Sequence, residues 1–174
     1  MMKENTIIFG PPGAGKSSLM KRLLEHIPHG AASGFLTEEI RDGVQRVGFR
    51  IVTTDGREGL LAHVKLSSEH RVGRYGVDLP AFEKMVLHLL DPKKAETPIL
   101  VIDEIGAMEC LSSRFTAAVD FALASSKLVV ATSGAGDRGY PAELRKRPGV
   151  EALDLTPENR EELFAKVLKR VTRR

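Results

Sequence analysis

The eight residues Gly10, Pro11, Pro12, Gly13, Ala14, Gly15, Lys16 and Ser17 constrain this chain more than any other stretch. They spell G-x-x-x-x-G-K-S, the pattern of a loop that cradles phosphate. A β-branched apolar run, Thr6 to Phe9, stands before them. After them Leu19, Leu23, Leu24 and Ile27 recur at helical spacing. Strand, glycine turn and helix are the context in which the pattern carries chemistry. Glycines at 10, 13 and 15 let the backbone approach an anion closely, and successive N–H groups form a nest at a helix N-terminus. Lys16 is expected to reach the outer phosphates, and the Ser17 hydroxyl to ligate Mg²⁺. Ser18 completes the candidate nucleotide contacts on this side.

At 174 residues the expectation is one domain, 1–174. Hydrophobic content of 42% and charged content of 28% are ordinary for a globular chain. No run of 18 apolar residues exists, so no membrane partner is expected. The first residues lead straight into a strand, with no secretory leader in view. The lone cysteine, Cys110, cannot form an intramolecular disulfide and fits a small hydrophobe in a reducing compartment. The cytoplasm is the expected location. A net charge of +3 is mild, and much of it falls at Lys166, Lys169, Arg170, Arg173 and Arg174. Such residues complement a helix C-terminus, so nucleic acid is not the expected partner. Oligomeric state is open, with a monomer favoured.

Along the chain, Phe35–Arg41, Val47–Thr53 and Leu60–Val64 read as strands, joined by Asp42-Gly43 and Asp55-Gly56 turns. Residues 34–64 thus read as a β-meander. A further short strand near 71–75 extends the β-rich insertion to 34–79. A helix begins at Asp78-Leu79-Pro80. Ile99–Ile102 and Leu128–Ala131 are fully apolar, as strands buried on both faces are. A helix carrying Phe115, Val119, Phe121, Ala122 and Leu123 lies between them. A short helix covers Pro141–Arg147, a last strand Val150–Leu155, and Thr156-Pro157 is expected to cap the final helix. The sum is an α/β architecture, a mostly parallel sheet flanked by helices, with ligand beyond the carboxyl ends of its strands.

One such end carries two acids. Leu100, Val101 and Ile102 run into Asp103 and Glu104. Opposite a phosphate loop, Asp103 is the candidate to hold Mg²⁺ through water. Glu104 is the candidate to orient or deprotonate water, a task a carboxylate can perform. Lys16 and Glu104 are therefore the catalytic candidates. Glu38, Glu39 and Arg41 on one strand, Arg71 and Arg74 on another, and Arg138 in a glycine-rich loop are further candidates for phosphate or metal-bound water. His26, His29, His63, His70 and His88 show no metal spacing.

The combination resembles the THEP1 family of nucleoside-triphosphatases. The resemblance rests on the phosphate loop, Gly34–Arg41, Val47–Phe49, Arg71–Leu79, Val101–Gly106 with Met108-Glu109, and Leu155–Arg160. It covers nearly the whole chain. It implies a RecA-like P-loop fold and Mg²⁺-dependent hydrolysis of several NTPs, ATP and GTP among them. Three positions depart from the family's wording. Ser17-Ser18 stand for two threonines, Ala107 for a lysine, and the loop 133–139 is unlike, so Arg138 is not carried over. The alternative is a nucleotide or small-molecule kinase, for which the basic run Arg138…Arg145-Lys146-Arg147 could serve as a lid. A nucleotide-gated binding protein is a third possibility.

Overall fold

The computed structural model describes residues 5–173. Its strands are β1 (Asn5–Phe9), β2 (Ala32–Asp42), β3 (Gln45–Thr53), β4 (Glu58–His63), β5 (Arg71–Val72), β6 (Tyr75–Val77), β7 (Ile99–Ile105), β8 (Leu128–Ser133) and β9 (Val150–Asp154). The helices are α1 (Lys16–Glu25), α2 (Leu79–Leu90), α3 (Ser113–Ala124), α4 (Gly139–Arg145) and α5 (Arg160–Val171). One sheet runs β5-β6-β4-β3-β2-β7-β8-β1-β9. From β2 to β9 the neighbours are parallel, and from β2 to β5 they are antiparallel. The parallel half carries the phosphate loop. The antiparallel half is the expected meander, paired through β2 into the same sheet.

Alternation along the central strands sends neighbouring residues to opposite faces. Ile7, Phe9, Leu100, Ile102, Val129 and Ala131 join one core with Phe82 and Val86 of α2 and Phe115 and Val119 of α3. Ile8, Ile99, Val101, Leu128 and Val130 join the other with Leu19 and Leu23 of α1 and Phe164 and Val167 of α5. Three layers follow, with α1 and α5 on one face and α2 and α3 on the other. Apolar strands in the middle of such a sandwich have no solvent side, which is why their sequence reads as continuous.

Gly34 marks where β2 and β7 come together. Its φ is +147°, and a Cβ there would stand 1.8 Å from the Val101 carbonyl oxygen. Only glycine fits such a contact.

Several boundaries differ from the sequence expectation. β7 does not stop at Ile102 but continues through both acids to Ile105, with a register shift against β8 between Ile102 and Ile105. The Asp103–Glu104 peptide is cis. The strand expected near 71–75 is two short strands around a turn at Gly73. Thr156 caps the last helix from one turn further out than its first regular residue. The Thr156 and Asn159 side chains each accept the other's backbone N–H, the reciprocal pair of a capping box, and regular α5 starts at Arg160. Phe121 lies in α3 as expected but on its outer face, 45% exposed, with the Lys93 amine 5.5 Å from its ring centre. The basic C-terminal run is partly spent on structure. Lys166 and Arg170 both pair with Glu151 of β9.

Candidate active site

The phosphate loop joins β1 to α1, so its position is set by the centre of the sheet. Gly15 takes φ +91° immediately before the first helical residue, Lys16. That left-handed step is open to glycine and turns the loop into the helix. The side chain of Lys16 is 8% exposed. It folds back and donates to the carbonyl oxygens of Gly10 (2.6 Å) and Pro11 (3.1 Å). Its Nζ lies 3.7 Å from Glu104 Oε2. Loop and acidic strand end therefore face each other across one cleft.

Asp103 is fully buried. Its Oδ1 accepts from Ser17 (3.1 Å) and Thr132 (2.5 Å), and its backbone carbonyl accepts from the Thr37 hydroxyl (2.7 Å). Its Oδ2 is buried with no hydrogen-bond partner among the described residues. Burial pushes the Asp103 carboxyl above its ordinary range, against the opposing pull of Thr132, Ser17 and Lys16. An orphaned buried carboxylate oxygen is costly, and a divalent cation would both satisfy it and reverse that shift. The oxygen donors of Ser17 and Asp103 suit a hard cation such as Mg²⁺. Burial also raises Glu104, with Lys16 lowering it and Asp103 adding to the rise. Its side chain keeps 36% exposure to the cleft, which tempers the effect.

The cleft has a volume of 730 Å³ and includes Pro12, Gly13, Gly15 to Ser18, Glu38, Glu39, Glu104 and Glu109 in its wall. Of the sequence candidates, the loop, Asp103 and Glu104 come together. Glu38 and Glu39 reach the cleft but are neutralised. Glu38 pairs with Lys21 and Arg50 (both 2.6 Å), and Glu39 with Arg41 (2.6 Å) and Arg46 (3.2 Å). Arg41, Arg71, Arg74 and Arg138 do not line it. Arg71 donates to the Arg74 and Leu66 carbonyls, and Arg74 to that of Arg46.

Three residues near the site were given no role in it from the sequence, although Glu109 and Arg160 stand in stretches that carry the family resemblance. Thr132 is the polar residue after an apolar strand, a position that could have been read as facing the ligand edge. Arg160 lies beside the loop, its guanidinium nitrogen 3.2 Å from where a Cβ on Gly15 would stand. Glu109 opens the short 3₁₀ turn after β7 and is 3% exposed. Nothing in its local pattern marks it as buried.

Burial first, and the Glu104 charge second, push the Glu109 carboxyl up to about 8 from its ordinary 4.5. Between those values the folded chain holds a proton that the unfolded chain has released. Stability should therefore fall as pH rises through that window, with no cost below 4.5 and the full cost above about 8. The slope from this one group reaches at most about 1.4 kcal/mol per pH unit. Glu109→Gln is expected to flatten the dependence. Urea unfolding across this range checks it, and parallel curves for variant and wild type would assign the slope to another group.

A glycine-rich phosphate loop facing a buried acid across an α/β sheet defines a P-loop NTPase. A family model described as NTPase matches residues 5–168. The chain is 39% identical to the nucleoside-triphosphatase THEP1 of Thermotoga petrophila over 162 residues, 93% of this chain and 89% of that one. It is 34% identical to the human cancer-related nucleoside-triphosphatase over 96% of both chains. The crystal structure of THEP1 from Aquifex aeolicus superposes with a TM-score of 0.85, at 34% identity, over 96% of this chain and 98% of that one. The chain belongs to the THEP1 family of nucleoside-triphosphatases and is an NTP hydrolase.

Proposed function

We propose that the chain hydrolyses ATP, GTP and other nucleoside triphosphates to the diphosphate and phosphate, with Mg²⁺ and little preference among bases. The observation that carries this reading is Lys16 standing 3.7 Å from Glu104 beside a buried Asp103 with an unpartnered oxygen. On this reading the loop N–H groups hold the β-phosphate and Lys16 swings from the Gly10 and Pro11 carbonyls to the outer phosphates. Ser17 and Asp103 would hold Mg²⁺, whose charge would offset that of the phosphates. Glu104 orients a water toward the γ-phosphorus and takes its proton. The water oxygen forms the new bond, and the bond to the β–γ bridging oxygen breaks, leaving the diphosphate. Burial raises this carboxyl above its ordinary range, which favours that transfer.

Low base selectivity follows from what the sequence offers. Phosphate and metal machinery is explicit, whereas discrimination needs positioned groups left unpaired by the wrong base. Phosphate release with Mg²⁺ and each of ATP, GTP, CTP and UTP, with no acceptor added, is the test. The kcat/KM values are expected to agree within about a hundredfold, and a preference above roughly a thousandfold would reveal a dedicated base pocket. No phosphate release from any of them would overturn the reading.

A further inference from the structure

The cleft does not end at the acids. It continues onto the inner face of the meander, where Phe49, Leu61, Val72, Tyr75 and Met108 make an apolar annex to it. Phe49 and Tyr75 meet edge to face with ring centres 5.4 Å apart. Apolar and aromatic walls with a few polar groups at one end are the make-up of a small-molecule site.

The donor nucleotide does not need this space. On the reading above, Lys16 and Glu104 mark the outer-phosphate end, and the rest of the triphosphate would follow the loop toward Ser18 at the start of α1. Arg160, which follows β9, stands beside Gly15. β9 is the opposite edge of the sheet from β3, β4 and β6, which wall the annex. The donor's nucleoside and the annex therefore lie on opposite sides of the terminal phosphate.

We propose that the annex binds a second, uncharged nucleoside, one of whose hydroxyls takes the γ-phosphoryl group in place of water. This rests on the reading above that the γ-phosphate lies between Lys16 and Glu104. Phe49, Tyr75 and Met108 offer apolar surface to a planar ring, which would pack beside the Arg46 guanidinium that lies 5.0 Å over Phe49 and 5.8 Å over Tyr75. The charges argue for a neutral ligand. The cations in the cleft wall are Lys16, Lys21 and Arg46. Lys21 is committed to Glu38 at 2.6 Å and Arg46 to Glu39 at 3.2 Å, and the donor claims Lys16. Arg46 also donates to the Tyr75 hydroxyl (3.1 Å), so its guanidinium is shared between that hydroxyl and Glu39, while Glu104 and Glu109 line the same cleft and oppose a second phosphate. In the step, the acceptor oxygen bonds to the γ-phosphorus and the bond to the β–γ bridging oxygen breaks. Its electron pair leaves with the diphosphate, and the hydroxyl proton passes to Glu104. The products are a nucleoside monophosphate and a nucleoside diphosphate.

The test uses γ-labelled ATP, Mg²⁺ and adenosine, guanosine, cytidine, uridine or thymidine as probes. At least one nucleoside should become labelled. Val72→Trp, which fills the annex, should lower that transfer about tenfold or more while sparing acceptor-free hydrolysis and the KM for ATP. Phe49→Ala, which removes a wall instead, should also lower it, so failure of one variant to fold leaves the other. Intact phosphate release with none of the five nucleosides labelled overturns the annex alone. Absence of both acceptor-free release and labelled nucleoside overturns the hydrolase reading and this one with it. Transfer that survives both variants, or a raised KM for ATP in Val72→Trp, also overturns it, the latter by assigning the space to the donor's base.

Discussion

Lys16→Ala is expected to lower kcat on the order of 10²–10³-fold, the scale seen when one preorganised charge or donor is removed from a developing anion. The loss should be selective. Lys16 reaches across the cleft to within 3.7 Å of Glu104, and on the proposed reading its amine meets the outer phosphates. A charged hydrogen bond there is worth roughly 1.5–3 kcal/mol, so NTP affinity should fall about tenfold to a hundredfold. Binding of a nucleoside monophosphate should change little, because it offers no outer phosphate. Calorimetry with ATP and AMP separates the two cases. The side chain also bonds the Gly10 and Pro11 carbonyls, so its removal could loosen the loop. Equal losses for ATP and AMP would show that this second effect dominates.

Why the loop was legible and other parts were not has a physical reason. A phosphate nest needs glycines at fixed positions and a following helix, and those demands are local. The apolar strands were legible for a similar reason, since a strand covered on both faces has no polar alternation. The extension of β7 through Asp103 and Glu104 was not. Charge there suggests a strand end, yet Asp103 is held inside the sheet by Ser17, Thr132 and Thr37 from three other elements. Those partners are distant in sequence and leave no local mark. Glu109 is the sharper case. A glutamate after a strand reads as solvated, and only the packing of the turn beneath the cleft buries it. The arginines misled in the opposite sense. Arg71 and Arg74 lie near the annex in sequence, but they donate to backbone carbonyls of the insertion and, for Arg74, to the Tyr75 hydroxyl. Glycine-rich wording around Arg138 suggested a phosphate contact, while in the cleft wall that loop supplies Gly134.

The neutralised acids sharpen the assignment of the base. Glu38 and Glu39 both reach the cleft, but their paired arginines and lysine hold both carboxyls below the ordinary range. A carboxylate so stabilised is a poor proton acceptor. Glu104 differs in direction, raised by burial, and its cationic neighbour Lys16 is the group a triphosphate would draw away. Of Glu38, Glu39 and Glu104, the proposed base is therefore the one whose surroundings favour proton uptake.

Glu104→Gln is accordingly expected to separate binding from turnover. The amide keeps the size and most of the hydrogen bonding of the carboxylate but can neither take a proton nor repel the γ-phosphate. Turnover should fall by about a hundredfold or more, the usual scale of general base help. Affinity for Mg²⁺-ATP should hold or tighten, because a negative charge facing the phosphates is removed. Lys16 also loses its ion-pair partner, which frees its amine for the nucleotide. Asp103→Asn should behave differently. It replaces the buried carboxylate whose Oδ2 is unpartnered, so it should raise the Mg²⁺ concentration needed for half-maximal rate as well as slow the reaction. Titrating Mg²⁺ against rate for wild type and both variants distinguishes the roles. A Glu104→Gln protein that hydrolyses ATP at the wild-type rate would move the base elsewhere. Glu109 would be the first place to look, since its carboxyl is already raised to about 8 and lines the same cleft.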